Sequence, residues 1–215
     1  MTVFLWDHKL TYVSVPKVAC TSLKNAFFEI ENGFRFKRFR ANGQPKHIHN
    51  TVYPSRLYSE IPHGRITGHT RLTVVRDPVK RLLSCYSNRV VFFGELSSKH
   101  ISDEFQEMGA TPDPSIEEFV EKLGLYRDAS RAIWRHSNPL ADFLGNDSSY
   151  YHGVYSIEDL DAFRVRVEQI VGHDLQIRHL QTGGPKISPD ELSPNTLRKI
   201  RKIYEEDYDI YGRFF

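Results

Sequence analysis

A cation and two hydroxyl groups lie close together in the short stretch Pro16–Ser22, which reads Pro-Lys-Val-Ala-Cys-Thr-Ser. The cation is Lys17, and the hydroxyls belong to Thr21 and Ser22. A turn of this kind between a strand and a helix directs backbone N–H groups and the positive end of the helix dipole at one point. These residue types at this spacing would therefore suit the binding of an anion.

The elements on either side of this stretch follow from the residue pattern. Leu10–Val15 is rich in β-branched and aromatic residues and predicts a short strand. Pro16 ends this strand, because proline has no N–H to donate to a neighbour. Apolar residues then recur at i, i+3, i+4 and i+7 from Leu23 onward, which is the spacing of one helix face. Thr21 or Ser22 is the expected N-cap of that helix.

The stretch alone does not decide between a binding site and an ordinary strand–helix connection. It is not a Walker A loop, which requires G-x-x-x-x-G-K-[ST] with the lysine after the glycines. Lys17 instead precedes the loop, and Ala19 stands where a glycine would be expected.

A second stretch repeats the order of strand, cation and helix. Arg71–Val75 predicts a short apolar strand, Arg76 and Asp77 follow it, and Pro78 suits the first turn of a helix. Ser84 lies eight residues after Arg76, on the predicted helix. Arg76 and Ser84 are therefore candidates for binding a second anionic group.

The two stretches together resemble the sulfotransferase family. That family binds 3′-phosphoadenosine 5′-phosphosulfate (PAPS) through a PKxxxTS motif at the 5′-phosphosulfate and an RDPxxRxxS motif at the 3′-phosphate. Here the motifs read PKVACTS and RDPVKRLLS, and the second is most similar to the carbohydrate branch. The resemblance implies these cofactor-binding residues: Lys17, Val18, Ala19, Cys20, Thr21, Ser22, Arg76 and Ser84.

The same resemblance implies a reaction and a base. A sulfuryl group would pass from PAPS to a hydroxyl of a glycan or glycoconjugate by in-line attack. The product would be 3′-phosphoadenosine 5′-phosphate, with Lys17 offsetting charge and no metal required. In this family a His or Glu between the motifs takes the acceptor proton, and the interval holds His47, His49, His63 and His69. The expected base is His49 or His47, whose spacing resembles the pair in the uronyl 2-O-sulfotransferases, followed by His69.

The pair occurs in a segment expected to be a loop or a short strand, which would place both rings on the same side. No cysteine or carboxylate cluster accompanies the pair, so no metal site is predicted. Further along, the basic loop Gln181–Lys186 resembles a C-terminal loop that closes over the nucleotide, with Lys186 at the 3′-phosphate. A plain interhelical loop explains it equally well, and His136 has no assigned role.

The chain has 215 residues, of which 40% are hydrophobic and 26% charged. This composition predicts one soluble globular domain over residues 1–215. Strands alternate with helices, which predicts right-handed βαβ units and an α/β three-layer fold around a central parallel sheet. The expected kind is the P-loop-like nucleotide-binding fold. A net charge of +2 does not indicate binding to nucleic acid.

The two cysteines, Cys20 and Cys85, predict no disulfide framework and a cytoplasmic location. No signal peptide or integral membrane segment is expected, since no apolar run approaches ~18–20 residues. Two other functions remain open: a P-loop-type small-molecule kinase, which would need Mg²⁺, and a non-catalytic nucleotide- or glycan-binding module. The sequence does not identify the acceptor, the position sulfated or the oligomeric state.

Overall fold

The structure is a computed structural model that describes residues 2–54, 56–178, 180 and 183–215. The strands are β1 Thr2–Leu5, β2 Leu10–Val13, β3 Phe39–Ala41, β4 Gln44–Lys46, β5 Thr70–Val75 and β6 Gly153–Ser156. The α-helices are α1 Cys20–Asn32, α2 Ile48–Thr51, α3 Pro78–Cys85, α4 Asp103–Glu107, α5 Ile116–Glu121, α6 Leu123–Ala129, α7 Arg131–Ser137, α8 Leu140–Leu144, α9 Leu160–Val171, α10 Pro194–Ile203 and α11 Glu205–Tyr211. A π-helix, Tyr86–Phe92, continues α3. None of these described helices is both long and apolar enough to cross a membrane.

The described residues divide into two compact units, each assembled from segments that are distant in the sequence. The first is drawn from Met1–Arg76, Leu140–Gln181 and Arg213–Phe215. The second is drawn from Asp77–Pro139 and Thr182–Gly212. The single domain expected over residues 1–215 stays a prediction.

The first unit contains a sheet whose strand order, in the described part of the chain, is β1-β2-β5-β6. β1 and β2 form an antiparallel hairpin at this end of the chain. β2 and β5 are parallel, with Leu10 opposite Thr70, and β5 and β6 are also parallel. The fold is therefore mixed α/β with a parallel-rich sheet, and the carboxyl ends of β2, β5 and β6 lie at one edge.

Aromatic packing fixes α1 against this sheet. All four residues of β2 are buried. The ring of Tyr12 on β2 stacks on Phe27 of α1 with centroids 5.2 Å apart, and it contacts Phe163 of α9 at 5.4 Å. Aromatic pairs of this kind contribute roughly 0.5–1.5 kcal/mol beyond the area they bury. The loop that joins β2 to α1 is thus held between two firmly packed elements.

The second unit is helical. Asp77 is the N-cap of α3, where its side chain accepts from the amide of Lys80, and Pro78 occupies the first turn as predicted. The second carboxylate oxygen of Asp77 accepts from the hydroxyl of Tyr208 at 2.9 Å. Among the side chains that form the core of this unit are Val79, Leu82, Leu83, Phe119, Tyr126, Ile133, Ile200 and Tyr204.

Candidate active site

The loop between β2 and α1 contains two residues with left-handed backbone angles. The angle φ is 69° at Lys17 and 46° at Ala19. This region costs a residue other than glycine roughly 1–2 kcal/mol. Backbone strain of this kind concentrates at active sites and ligand-binding positions, where the surrounding structure holds it in place.

The start of α1 differs from the expected one. The helix begins at Cys20, and its N-cap is Ala19, which makes no side-chain capping bond. The prediction that Thr21 or Ser22 is the N-cap is therefore wrong. Their hydroxyls have partners outside the turn: Thr21 Oγ1 lies 2.8 Å from His49 Nε2, and Ser22 Oγ accepts from the amide of Leu180 at 3.3 Å. No side chain caps this helix start, which is the arrangement expected where an anion binds.

His49 is the candidate base that reaches this loop. It lies on α2, and His47 is the N-cap of that helix, with its Nδ1 accepting from the amide of His49 at 3.3 Å. The expected loop or strand is wrong here, because His47 and Asn50 exchange capping bonds that close a helical turn. The rings of His47 and His49 are still neighbours, with centroids 5.7 Å apart.

Lys24, which the sequence patterns did not single out, contacts the same histidine. Its side chain is fully buried, and Nζ lies 3.2 Å from Nδ1 of His49. Nζ also donates to the carbonyl of Tyr53 at 2.7 Å. Tyr53 donates its hydroxyl to Glu31 at 2.6 Å, and burial followed by this bond raises the Tyr53 pKa. A signal for Lys24 was present: it lies one helical turn after the buried Cys20, on the apolar side of α1.

Arg76 comes to the same loop from the neighbouring strand. It directly follows β5, and its Nη1 donates to the carbonyl of Lys17 at 3.4 Å. Because β2 and β5 are adjacent and parallel, both motifs begin at the same sheet edge, where ligands of open α/β sheets bind. The structure therefore brings Arg76 and His49 to the loop that carries Lys17.

His63 and His69 have partners elsewhere in the first unit. The ring of His63 bonds to the hydroxyl of Tyr150 and to the carbonyl of Tyr58, each at 2.9 Å. His69 is buried beside Thr11, whose hydroxyl lies 2.9 Å from its Nδ1, and burial lowers the His69 pKa. His69 also precedes the first residue of β5, at the sheet edge opposite the candidate site.

The remaining candidates belong to the second unit and are described within it. Ser84 lies on α3 and is partly exposed. Lys186 is exposed and follows Pro185, whose carbonyl accepts from the hydroxyl of Ser87. The first two residues of the predicted loop Gln181–Lys186 lie outside the described residues. The roles of Ser84 and Lys186 stay predictions.

His136 is also in the second unit and uses both ring nitrogens. Its Nε2 accepts from Arg89 at 3.0 Å, and its Nδ1 donates to the carbonyl of Ala132 at 2.7 Å. Arg89 in turn pairs with Glu95 at 3.3 Å. These contacts tie α7 to the π-helix. Throughout the described part of the chain, no group of three or more His, Cys, Asp or Glu side chains is placed to hold a metal ion.

The similarity of this chain to known proteins extends over nearly its whole length. The family model described as "Sulfotransferase family" matches residues 2–214. Carbohydrate sulfotransferase 11 of Danio rerio is 30% identical over 233 residues, which cover 96% of this chain and 65% of that protein. Proteins of the same name from Rattus norvegicus and Mus musculus are each 31% identical over 86 residues, 39% of this chain and 24% of theirs. The chain thus spans less than two thirds of the length of these relatives. No solved structure matches.

The cytoplasmic location predicted from the cysteine content is wrong. The relatives are carbohydrate sulfotransferases, and enzymes of that class belong to the Golgi membrane. Cys20 and Cys85 are both buried thiols, which is compatible with more than one compartment.

Proposed function

Because the chain belongs to the sulfotransferase family, we propose that it transfers a sulfuryl group from PAPS to a hydroxyl of a carbohydrate. The observation that carries this proposal is the strained, uncapped loop before α1, with Arg76 bonded to the carbonyl of Lys17. Backbone amides, hydroxyls and two cations are the donors that phosphate groups require. The relatives are named carbohydrate sulfotransferases, which supports a glycan or glycoconjugate as the acceptor.

Each donor group has a place in this proposal. The 5′-phosphosulfate is bound by Lys17, Val18, Ala19, Cys20, Thr21 and Ser22. The 3′-phosphate is bound by Arg76 and Ser84, with Lys186 as a further contact. A three-layer, P-loop-like nucleotide-binding fold is part of the same proposal, supported by the parallel strands β2 and β5, which lead into the segments that carry Lys17 and Arg76.

The residues then divide the chemistry between them. PAPS supplies the sulfuryl group and leaves as 3′-phosphoadenosine 5′-phosphate. Lys17 and the loop amides offset the negative charge that builds on the leaving oxygens while the acceptor oxygen attacks sulfur in line. His47 or His49 accepts the proton of the acceptor hydroxyl, a contribution of typically ~10²–10⁴ in rate. Since fixed cations neutralise the charge, no metal is required.

Calorimetric titration with 3′-phosphoadenosine 5′-phosphate, without Mg²⁺, tests the nucleotide site. ATP and 5′-AMP are the controls. The expected result is tight binding that depends on the 3′-phosphate. No binding, or a preference for ATP that appears only with Mg²⁺, would overturn the proposal, and the second result would favour a kinase.

Substitutions connect that binding to the candidate residues. Lys17→Ala and Arg76→Ala should each weaken binding about tenfold or more, since a hydrogen bond to a charged group is worth roughly 1.5–3 kcal/mol. Lys99→Ala removes an exposed lysine of the second unit and should bind like the unmodified protein. Unchanged binding in both Lys17→Ala and Arg76→Ala would contradict the proposed site.

The transfer step needs its own assay, with labelled sulfate in PAPS and a panel of glycans. His47→Ala and His49→Ala are compared for transfer and for nucleotide binding. The base is the histidine whose loss abolishes transfer while binding persists. Nucleotide binding with no transfer to any glycan would favour a non-catalytic binding module.

A further inference from the structure

Three side chains of the first unit form a hydrogen-bonded row from the protein interior to the start of α1, next to the β2–α1 loop. Nζ of Lys24 lies 3.2 Å from Nδ1 of His49, and Nε2 of His49 lies 2.8 Å from Oγ1 of Thr21. Lys24 is fully buried, and Thr21 is 6% exposed. The row ends at a residue that the proposed function places against the 5′-phosphosulfate.

The chemistry of these groups gives the row a direction. A lysine ammonium carries only N–H donors, so it can bond to an imidazole only at an unprotonated nitrogen. With Nδ1 of His49 accepting from Lys24, the proton of the neutral ring is on Nε2. Nε2 then donates to Oγ1 of Thr21, and the hydroxyl proton of Thr21 is directed at an acceptor other than His49.

We infer that Lys24 is a positioning residue that acts through His49 to aim the Thr21 hydroxyl at the phosphate of the bound nucleotide. The inference rests on the proposed function, which brings that phosphate to the loop. In this arrangement His49 donates a hydrogen bond and takes no proton from the acceptor. Of the two candidate bases, His47 is the one that keeps that role.

The burial of Lys24 also indicates a purpose beyond packing. Removing an ammonium group from water is expensive, so a side chain that contributed only packing at this position would be apolar. Methionine would fill the same space at this position in α1. The ammonium group of Lys24 instead orients the imidazole ring of His49 through its hydrogen bond to Nδ1. Hydrogen bonds in such a chain also strengthen one another by polarisation.

The tautomer of His49 is the most direct test, and it requires no nucleotide. Imidazole ¹⁵N spectra of the ¹⁵N-histidine-labelled protein show which ring nitrogen is protonated, and His49→Gln assigns the signals. The expected result is a proton on Nε2 and an unprotonated Nδ1. In Lys24→Met the ring should become a mixture of tautomers. A proton on Nδ1 in the unmodified protein, or the same tautomer in Lys24→Met, would overturn the inference.

Nucleotide affinity tests the other end of the row. Lys24→Met and Thr21→Val should each weaken binding of 3′-phosphoadenosine 5′-phosphate about tenfold, the cost of one misdirected bond to a charged group. Thr21→Ser keeps the hydroxyl and should retain more affinity than Thr21→Val. Lys37→Met is the matched control, since Lys37 is an exposed lysine of the same unit.

The two tests separate failure of the inference from failure of the proposed function. If the unmodified protein binds the nucleotide and Lys24→Met binds it equally well, Lys24 does not position Thr21. If the unmodified protein does not bind the nucleotide, the proposed function fails. The ¹⁵N spectra then still decide whether Lys24 sets the tautomer of His49.

Discussion

Tyr12 and Lys24 are both fully buried polar side chains of the first unit, and they differ in what their polar atoms meet. Nζ of Lys24 donates to the carbonyl of Tyr53, whereas the hydroxyl of Tyr12 has no hydrogen-bond partner among the described residues. A buried polar group left without a partner costs roughly 1–3 kcal/mol. Burial also raises the pKa of Tyr12 well above its usual value, because the phenolate would be still less stable there.

Tyr12→Phe should therefore stabilise the protein. The ring that packs on Phe27 and Phe163 is kept, and the unsatisfied hydroxyl is removed, so the free energy of unfolding should rise by about 1 kcal/mol. Urea denaturation measures the change. Tyr204→Phe is the matched control in the second unit. The Tyr204 hydroxyl donates to the carbonyl of Ser137, so its removal should lower the free energy of unfolding. A loss of stability in Tyr12→Phe would mean that its hydroxyl is satisfied.

Among the elements, the β2–α1 loop has a strained backbone, and Ala19 offers a test. Ala19→Gly removes the Cβ that disfavours φ of 46°, a gain of roughly 1–2 kcal/mol set against about 0.4–1 kcal/mol of added chain entropy. The net effect on stability should lie between no change and a gain of about 1.6 kcal/mol. Ala19→Val adds a β-branch to the same conformation and should lower stability by about 2 kcal/mol. Thermal unfolding of Ala19→Gly and Ala19→Val measures both changes in stability. A clear loss of stability in Ala19→Gly would contradict the proposed strain in this loop.

An ion pair between elements predicts a pH dependence. Oε2 of Glu29 on α1 lies 2.8 Å from Nη1 of Arg178, in the segment after α9, and both side chains are about one third exposed (30% and 34%). The bond to Arg178 is the main cause that lowers the pKa of Glu29 from its usual 4.5. A carboxyl with a lowered pKa contributes stability above its unfolded pKa and loses it as the pH falls through the folded value.

Glu29→Gln should accordingly be less stable than the unmodified protein at pH 7. The difference should be below about 1 kcal/mol, because water and salt screen a partly exposed pair. It should shrink as the pH falls below 4.5, where the carboxyl of the unmodified protein also becomes neutral. Urea denaturation at several pH values gives the result, and a difference that persists at pH 3 would assign the effect to packing.

Elements with strong local signals were predictable, and those that depend on tertiary partners were not. The strand that begins at Leu10, the strand before Arg76 and the helix that begins at Pro78 all follow from residue pattern and proline position. The N-cap of α1 did not follow, because Thr21 bonds to His49, which is 28 residues away. Short polar side chains choose between a cap and a distant partner according to the fold.

The candidate site also combines residues that local sequence signals predict with residues that only the fold identifies. Motif spacing indicated Lys17, Thr21 and Arg76, and the parallel pairing of β2 and β5 accounts for their proximity. Choosing among four histidines needed the fold, since only tertiary contacts separate His49 from His69. Lys24 was missed because lysine is a surface residue by default, and its burial follows from the packing of α1.

At the scale of the whole molecule, each compact unit can be monitored by itself for an effect of the proposed nucleotide. Ligand at 100 times its dissociation constant should raise the free energy of unfolding by about 2.7 kcal/mol. Hydrogen exchange should slow in α1 of the first unit and in α3 of the second when 3′-phosphoadenosine 5′-phosphate is added. At the same concentration, 5′-AMP should give less protection in α3, because it has no 3′-phosphate that Arg76 and Ser84 could bind. Protection confined to α1 would support the proposed binding of the 5′-phosphate by the β2–α1 loop and would contradict the role proposed for Ser84.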